Sequence, residues 1–182
     1  MNLRHTFHAA AAAVAVLAAL PASSLAAPDA WFVEGAVAER GTSALTAGLK
    51  WQWDFRRNWG PVAASASGEA FVSHWFHRDV PSGRTGTTSV GVVPLLRLTF
   101  DEGRSPWFFE GGIGFVVADK RYTTPDKQFS TRWNFYDVVA LGHTFAGGAR
   151  ELSLRVTHTS NASIKRPNPG ENFLQLRYAM KF

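Results

Sequence analysis

From Leu174 to Phe182 the chain alternates without a break. Leu174, Leu176, Tyr178, Met180 and Phe182 share one parity, and Gln175, Arg177, Ala179 and Lys181 share the other. Successive side chains of a β-strand point to opposite faces, so this segment reads as a strand with one apolar and one polar face. Seven earlier segments repeat the pattern between turn-forming residues. The first, Trp31 to Ala38, is weak. The second sets Leu45, Ala47, Leu49, Trp51 and Trp53 against Thr46, Gly48, Lys50 and Gln52. A third spans Val62 to Phe76, with Ser65, Ser67 and Glu69 on one parity. The fourth sets Val90, Val92, Leu96, Leu98 and Phe100 against Ser89, Gly91, Arg97 and Thr99, and the fifth Trp107, Phe109, Ile113, Phe115 and Val117 against Glu110, Gly112 and Gly114. The sixth carries Phe135, Val139, Leu141 and Phe145 with Asp137 and His143, and the seventh, Glu151 to Ser160, carries Leu152, Leu154 and Val156. Each clear segment is near the roughly nine to eleven residues that a tilted membrane strand needs. The pattern predicts an all-β fold, an eight-stranded antiparallel transmembrane β-barrel.

Such barrels alternate short periplasmic turns with longer external loops. The second, fourth and sixth connections, Asp54 to Pro61, Asp101 to Pro106 and Ala146 to Arg150, are short. The connections around His77 to Thr87, Asp119 to Thr131 and Asn161 to Asn172 are longer, and Glu39 to Thr42 is tight. Both termini then lie on the periplasmic side.

The amino terminus adds an address. Arg4 and two histidines precede an apolar run from Ala9 to Leu20, followed by Pro21 and the small-x-small site Ser24-Leu25-Ala26. The run is too short for a membrane-spanning helix, and residues 1–26 read as a signal peptide ahead of a barrel of residues 27–182. No cysteine is present, so a disulfide framework and cysteine-dependent zinc sites or nucleophiles are excluded. Nineteen Lys and Arg against 14 Asp and Glu give +5, or +4 without Arg4. These charges are scattered rather than gathered in a stripe, which argues against nucleic acid and suits an anionic membrane surface. Seven Trp and 14 Phe fit lipid-facing belts and interfacial girdles. The same belts leave a homodimer open as an arrangement of two copies.

The polar parity suits a barrel interior, where Glu69 and Glu110 can pair with Arg97, Arg155 and Arg177; an eight-stranded lumen is narrow enough for side chains to fill. The lipid face should then be free of ionisable groups. Two strands break that rule. Continuing the parity of Leu152, Leu154 and Val156 puts His158 and Ser160 outward near the external end, about 7 Å apart between Cα atoms. If the hairpin with the preceding strand turns through Ala146 to Ala149, so that Phe145 opposes Arg150, Asp137 stands opposite His158. Asn161 follows, then a loop with Lys165, Arg166, Asn168, Gly170 and Glu171. A hydroxyl, an imidazole, an acid to hold its tautomer and an oxyanion donor are the parts needed for acyl transfer.

The stretch His158-Thr159-Ser160-Asn161-Ala162, with Ile164-Lys165, Pro167-Asn168 and Gly170, closely resembles the signature of the lipid A 3-O-deacylase family, PagL. The likeness is strong over the last three strands and diffuse toward the amino terminus, where Glu110-Gly111-Gly112-Ile113-Gly114 still matches. The resemblance implies a bacterial outer-membrane esterase that removes the 3-O-linked acyl chain of lipid A from lipopolysaccharide, without metal or other cofactor. Ser160 would be the nucleophile, His158 the base and Asn161 with the following backbone the oxyanion hole. Glu171 is the expected acid and Asp137 the alternative. The family's acid falls one residue after Glu171, where this chain has Asn172. Either Gly170 supports a bulge that turns Glu171 outward, or Asp137 supplies the carboxylate, or Asn172 orients the imidazole. Lys165 and Arg166, with Lys120, Arg121 and Lys127, would draw the substrate phosphates. The competing reading is a non-catalytic small outer-membrane barrel serving adhesion or membrane integrity.

Overall fold

The computed structural model describes residues 27–79 and 83–182. The leader assigned to residues 1–26 lies outside the described residues. Eight strands run in chain order: β1 (Ala30–Ala38), β2 (Ser43–Trp59), β3 (Val62–Asp79), β4 (Gly83–Thr99), β5 (Trp107–Ala118), β6 (Trp133–Phe145), β7 (Arg150–Ser160) and β8 (Glu171–Lys181). Each pairs antiparallel with the next, and β8 pairs with β1 to close the barrel. Closure removes both sheet edges, which is what lets a sheet cross a bilayer. Among the described residues no helix is long and apolar enough to cross a membrane.

The outward parity is apolar along most of its length: Val139 is 64% exposed, Leu45 61% and Val37 60%, with Leu154, Val156 and Leu176 also exposed. An apolar surface of this extent requires lipid. At the periplasmic end the β2–β3 turn is reduced to Gly60-Pro61, and tight 3-10 turns at Asp101–Gly103 and Ala146–Gly148 join β4 to β5 and β6 to β7.

Two connections differ from the sequence expectation. Segment Asp54 to Pro61 is mostly strand, because a bulge between Gln52 and Arg56 lets β2 continue beside β3 as far as Trp59. The external segment His77 to Thr87 is also mostly ladder, from Ser73↔Ser89 to Asp79↔Gly83. There Trp75 and His77 keep the inward parity and cap the lumen against Tyr122, with ring centroids 5.1 and 4.8 Å away. Those contacts reward the extra pairing.

Among the described residues, a network of ion pairs runs through the lumen. Glu34 and Glu69 both pair with Arg155 and Arg177; Glu110 pairs with Lys50 and Arg97, and Arg97 also grips Glu151. Arg177 and Arg97 each lie 3.7 Å over an aromatic ring, Phe32 and Phe108. Apolar residues share this space: Val93 and Leu95, inward on β4, pack with Phe32, Phe71, Val116, Tyr136 and Val138. Cavities of about 340 Å³ and 630 Å³ open at the external and periplasmic mouths. Between them sit Arg155, Phe32, Val93 and Leu95, none more than 1% exposed.

A buried charge is tolerated only while paired, and removing one partner of such a cluster costs about 3–5 kcal/mol. Arg177→Met should therefore lower barrel stability by about that amount, read by reversible urea unfolding in detergent. Arg177→Met with Glu69→Gln should recover part of the loss.

Candidate active site

The external ends of β6, β7 and β8 form the site. Their register is Asp137↔His158 on one side of β7 and His158↔Asn172 on the other, so Asp137, His158 and Asn172 make one lateral row on the outward face. The short Ala146–Gly148 turn sets Phe145 opposite Arg150 and fixes this alignment eight residues up the hairpin.

His158 is held from two directions. Its Nδ1 lies 2.7 Å from Asn172 Oδ1. That oxygen can only accept, so Nδ1 carries a proton, which in the neutral ring leaves Nε2 as the acceptor. Below the ring is Gly170, in a left-handed conformation at φ +69; a Cβ there would lie 2.6 Å from His158 Cε1. Only glycine supplies both the backbone angle and the clearance. Asp137, half-buried, lies near enough on the opposite flank to interact electrostatically with His158.

Ser160, 9% exposed, follows two residues along the same face, opposite Phe135. Its Oγ accepts a hydrogen bond from the Ala162 N–H at 3.3 Å. Ala162 and Ser163 are both left-handed, at φ 52 and 61, which turns the chain back over the strand end. Phe135, Phe115 and Trp133 form an outward aromatic cluster beside the serine, with Phe115 and Trp133 stacked at 6.1 Å and Phe135 6.4 Å from each.

Two expected roles do not match the geometry. Glu171 is not brought to His158: β8 begins at Glu171 with no bulge at Gly170, so parity sends the carboxylate into the lumen. There it is 1% exposed and accepts hydrogen bonds from Tyr122 Oη and Lys127 Nζ, each at 2.8 Å. Asn161 has both of its donors engaged. Its backbone N–H goes to Asn168 Oδ1 (3.0 Å), and its amide Nδ2 goes to Ser130 Oγ, Thr131 Oγ1 and Lys165 O at 2.8–3.1 Å. Asn161 is thus a buried loop staple, and the donor that faces Ser160 Oγ is the Ala162 N–H.

The loop cations divide. Lys165 and Arg166 are exposed above the site, whereas Lys127 is tied to Glu171 and Glu39 and Lys120 to Thr85. Sequence reasoning passed over Tyr122, Ser130, Thr131 and the stapling role of Asn168, all of which act on residues distant in the chain. A lone tyrosine in an otherwise polar loop was the available signal for the first. Burial, with the Glu171 carboxylate adding to it, pushes the Tyr122 phenol above its ordinary value, so it stays a donor.

The profile of the family described as lipid A 3-O-deacylase (PagL) matches residues 45–181. The lipid A deacylase PagL of Pseudomonas aeruginosa is 32% identical over 169 residues, 91% of this chain and 94% of that protein. The lipid A deacylase PagL of Bordetella bronchiseptica is 30% identical over 132 residues, 72% of this chain and 70% of that protein. A crystal structure of the outer membrane enzyme PagL superposes with a TM-score of 0.74 at 24% identity, covering 84% of this chain and 99% of that one, which is a likeness of fold. On the extent of the profile and of both relatives, the chain belongs to the lipid A 3-O-deacylase (PagL) family.

Proposed function

We propose that this outer-membrane enzyme hydrolyses the 3-O-linked acyl ester of lipid A, with Ser160 as nucleophile, His158 as general base, Asn172 holding the imidazole tautomer and Asp137 balancing its charge. The observation that carries this reading is the outward row Asp137–His158–Asn172, with Nδ1 bonded to Asn172 and Ser160 next along the same face. A purely structural barrel has no use for an imidazole and a carboxylate on its lipid side.

In the proposed reaction Ser160 Oγ turns from the Ala162 N–H toward His158 Nε2, gives up its proton there, and attacks the ester carbonyl. The turn frees the Ala162 N–H to donate to the oxyanion. His158 then returns the proton to the departing sugar oxygen, leaving an acyl-serine that water hydrolyses by the same base. Asn172 is neutral and can orient the ring but cannot offset the positive charge that develops on it; Asp137 can. The acyl chain lies against Phe135, Phe115 and Trp133, and Lys165 and Arg166 face the phosphates. Lipid A is met where it lies, with its esters just below the headgroup surface.

Mass spectrometry of lipid A incubated with refolded protein in detergent tests the reading: one 3-linked hydroxyacyl chain is lost. Ser160→Ala and His158→Ala each lower turnover by about 10⁴–10⁶-fold while the barrel stays folded; lipid A left intact by the folded wild-type protein would sink the proposal. Asp137→Asn costs about 10²-fold, more than Asn172→Ala, whose lost hydrogen bond is worth about 1 kcal/mol. A larger loss for Asn172→Ala would reverse those two roles. Gly170→Ala displaces the ring and cuts kcat by about tenfold or more, with KM little changed.

A further inference from the structure

Glu171 is the buried titratable group that the proposed chemistry leaves unused. Its Oε2 accepts from Tyr122 Oη, and its Oε1 from Lys127 Nζ and from the backbone N–H of Asn172 (3.3 Å). Tyr122 is further hydrogen-bonded to Thr42 Oγ1 at 2.8 Å. Lys127 also approaches Glu39 at 3.7 Å, and Asp126 pairs with Arg40 at 3.0 Å. Tyr122, Asp126 and Lys127 belong to the β5–β6 loop, whose Thr123↔Gln128 bridge folds it into a small hairpin over the external mouth of the barrel, against the β1–β2 turn. The same loop holds the far end of the 161–170 segment. Ser130 Oγ donates to Lys165 O at 2.8 Å, and Ser130 with Thr131 accepts from Asn161 Nδ2.

A buried carboxylate costs several kcal/mol unless it is paired, and this one stands at the first residue of β8, next to the partner of His158. Glu171 and Asn172 share a rigid peptide plane and point to opposite faces. Whatever locks the first in the lumen therefore locks the second at the lipid surface.

We propose that the loop at residues 119–132 is a brace for the general base, with Glu171 as a positioning residue: Lys127 and Tyr122 hold its carboxylate from inside the barrel and thereby fix Asn172 against His158. The inference rests on His158 being the base. It assigns Glu171 a role that involves no contact with substrate.

The test compares Tyr122→Phe, Lys127→Met, their combination, Lys127→Arg and Ser160→Ala, each scored for folding by its heat-resistant band. Turnover of purified lipid A gives kcat and KM, and nitrogen NMR of the His158 ring reports the Nδ1 proton. Losing the brace should lower kcat by up to about fivefold, the same limit as Asn172→Ala because it acts only through that hydrogen bond, with KM unchanged and a weakened Nδ1–H signal, while Lys127→Arg restores both. Wild-type kcat and an unaltered His158 spectrum in the folded double variant would overturn the proposal. Should the double variant fail to fold, the isosteric Tyr122→Phe decides by the same two readouts. An active Ser160→Ala would instead remove the reading of the site, and the His158 spectrum would still decide whether the brace sets the ring.

Discussion

Closing eight strands into a barrel gives every strand residue one of two destinations, a narrow lumen or the bilayer, and the choice alternates at each step along the chain. All else in this protein is arranged around that alternation. Most of the charges that face inward within the span are gathered into the network of Glu34, Glu69, Glu110 and Glu151 with Lys50, Arg97, Arg155 and Arg177. Among the polar groups that face outward, Asp137, His158, Ser160 and Asn172 are gathered at the external ends of β6, β7 and β8. There the bilayer gives way to headgroups, and the row Asp137, His158, Asn172 can exist without a charge at mid-depth.

The alternation also separates two jobs that sit on adjacent residues. Glu171 belongs to the ionic lumen and Asn172 to the lipid face, although one peptide bond joins them. A carboxylate directed into the mouth is held by loop side chains, and the amide beside it holds the histidine. The carboxylate on the opposite flank of the imidazole, Asp137, comes from β6 and not from β8.

Much of this was legible in the chain. The eight strands, the outward parity of His158 and Ser160 and the pairing of Asp137 with His158 follow from alternation plus the length of one short turn, both local properties. The lumen position of Glu171 was implied by the same parity, against the expectation that a bulge at Gly170 would turn it outward. The engagement of Asn161 with Ser130, Thr131 and Lys165 was not legible, because those partners meet through loop geometry that no periodicity encodes. The continuation of β2 to Trp59 was missed for a related reason: the bulge at Gln52/Arg56 breaks the alternation that would have announced it.

The filled lumen has a meaning for the cell beyond stability. The two mouth cavities are separated by Arg155, Phe32, Val93 and Leu95, all essentially without exposure, and the ionic groups there neutralise one another. A barrel built this way enters the outer membrane without adding a hole. Its insertion therefore leaves the barrier of that membrane to ions and small solutes intact.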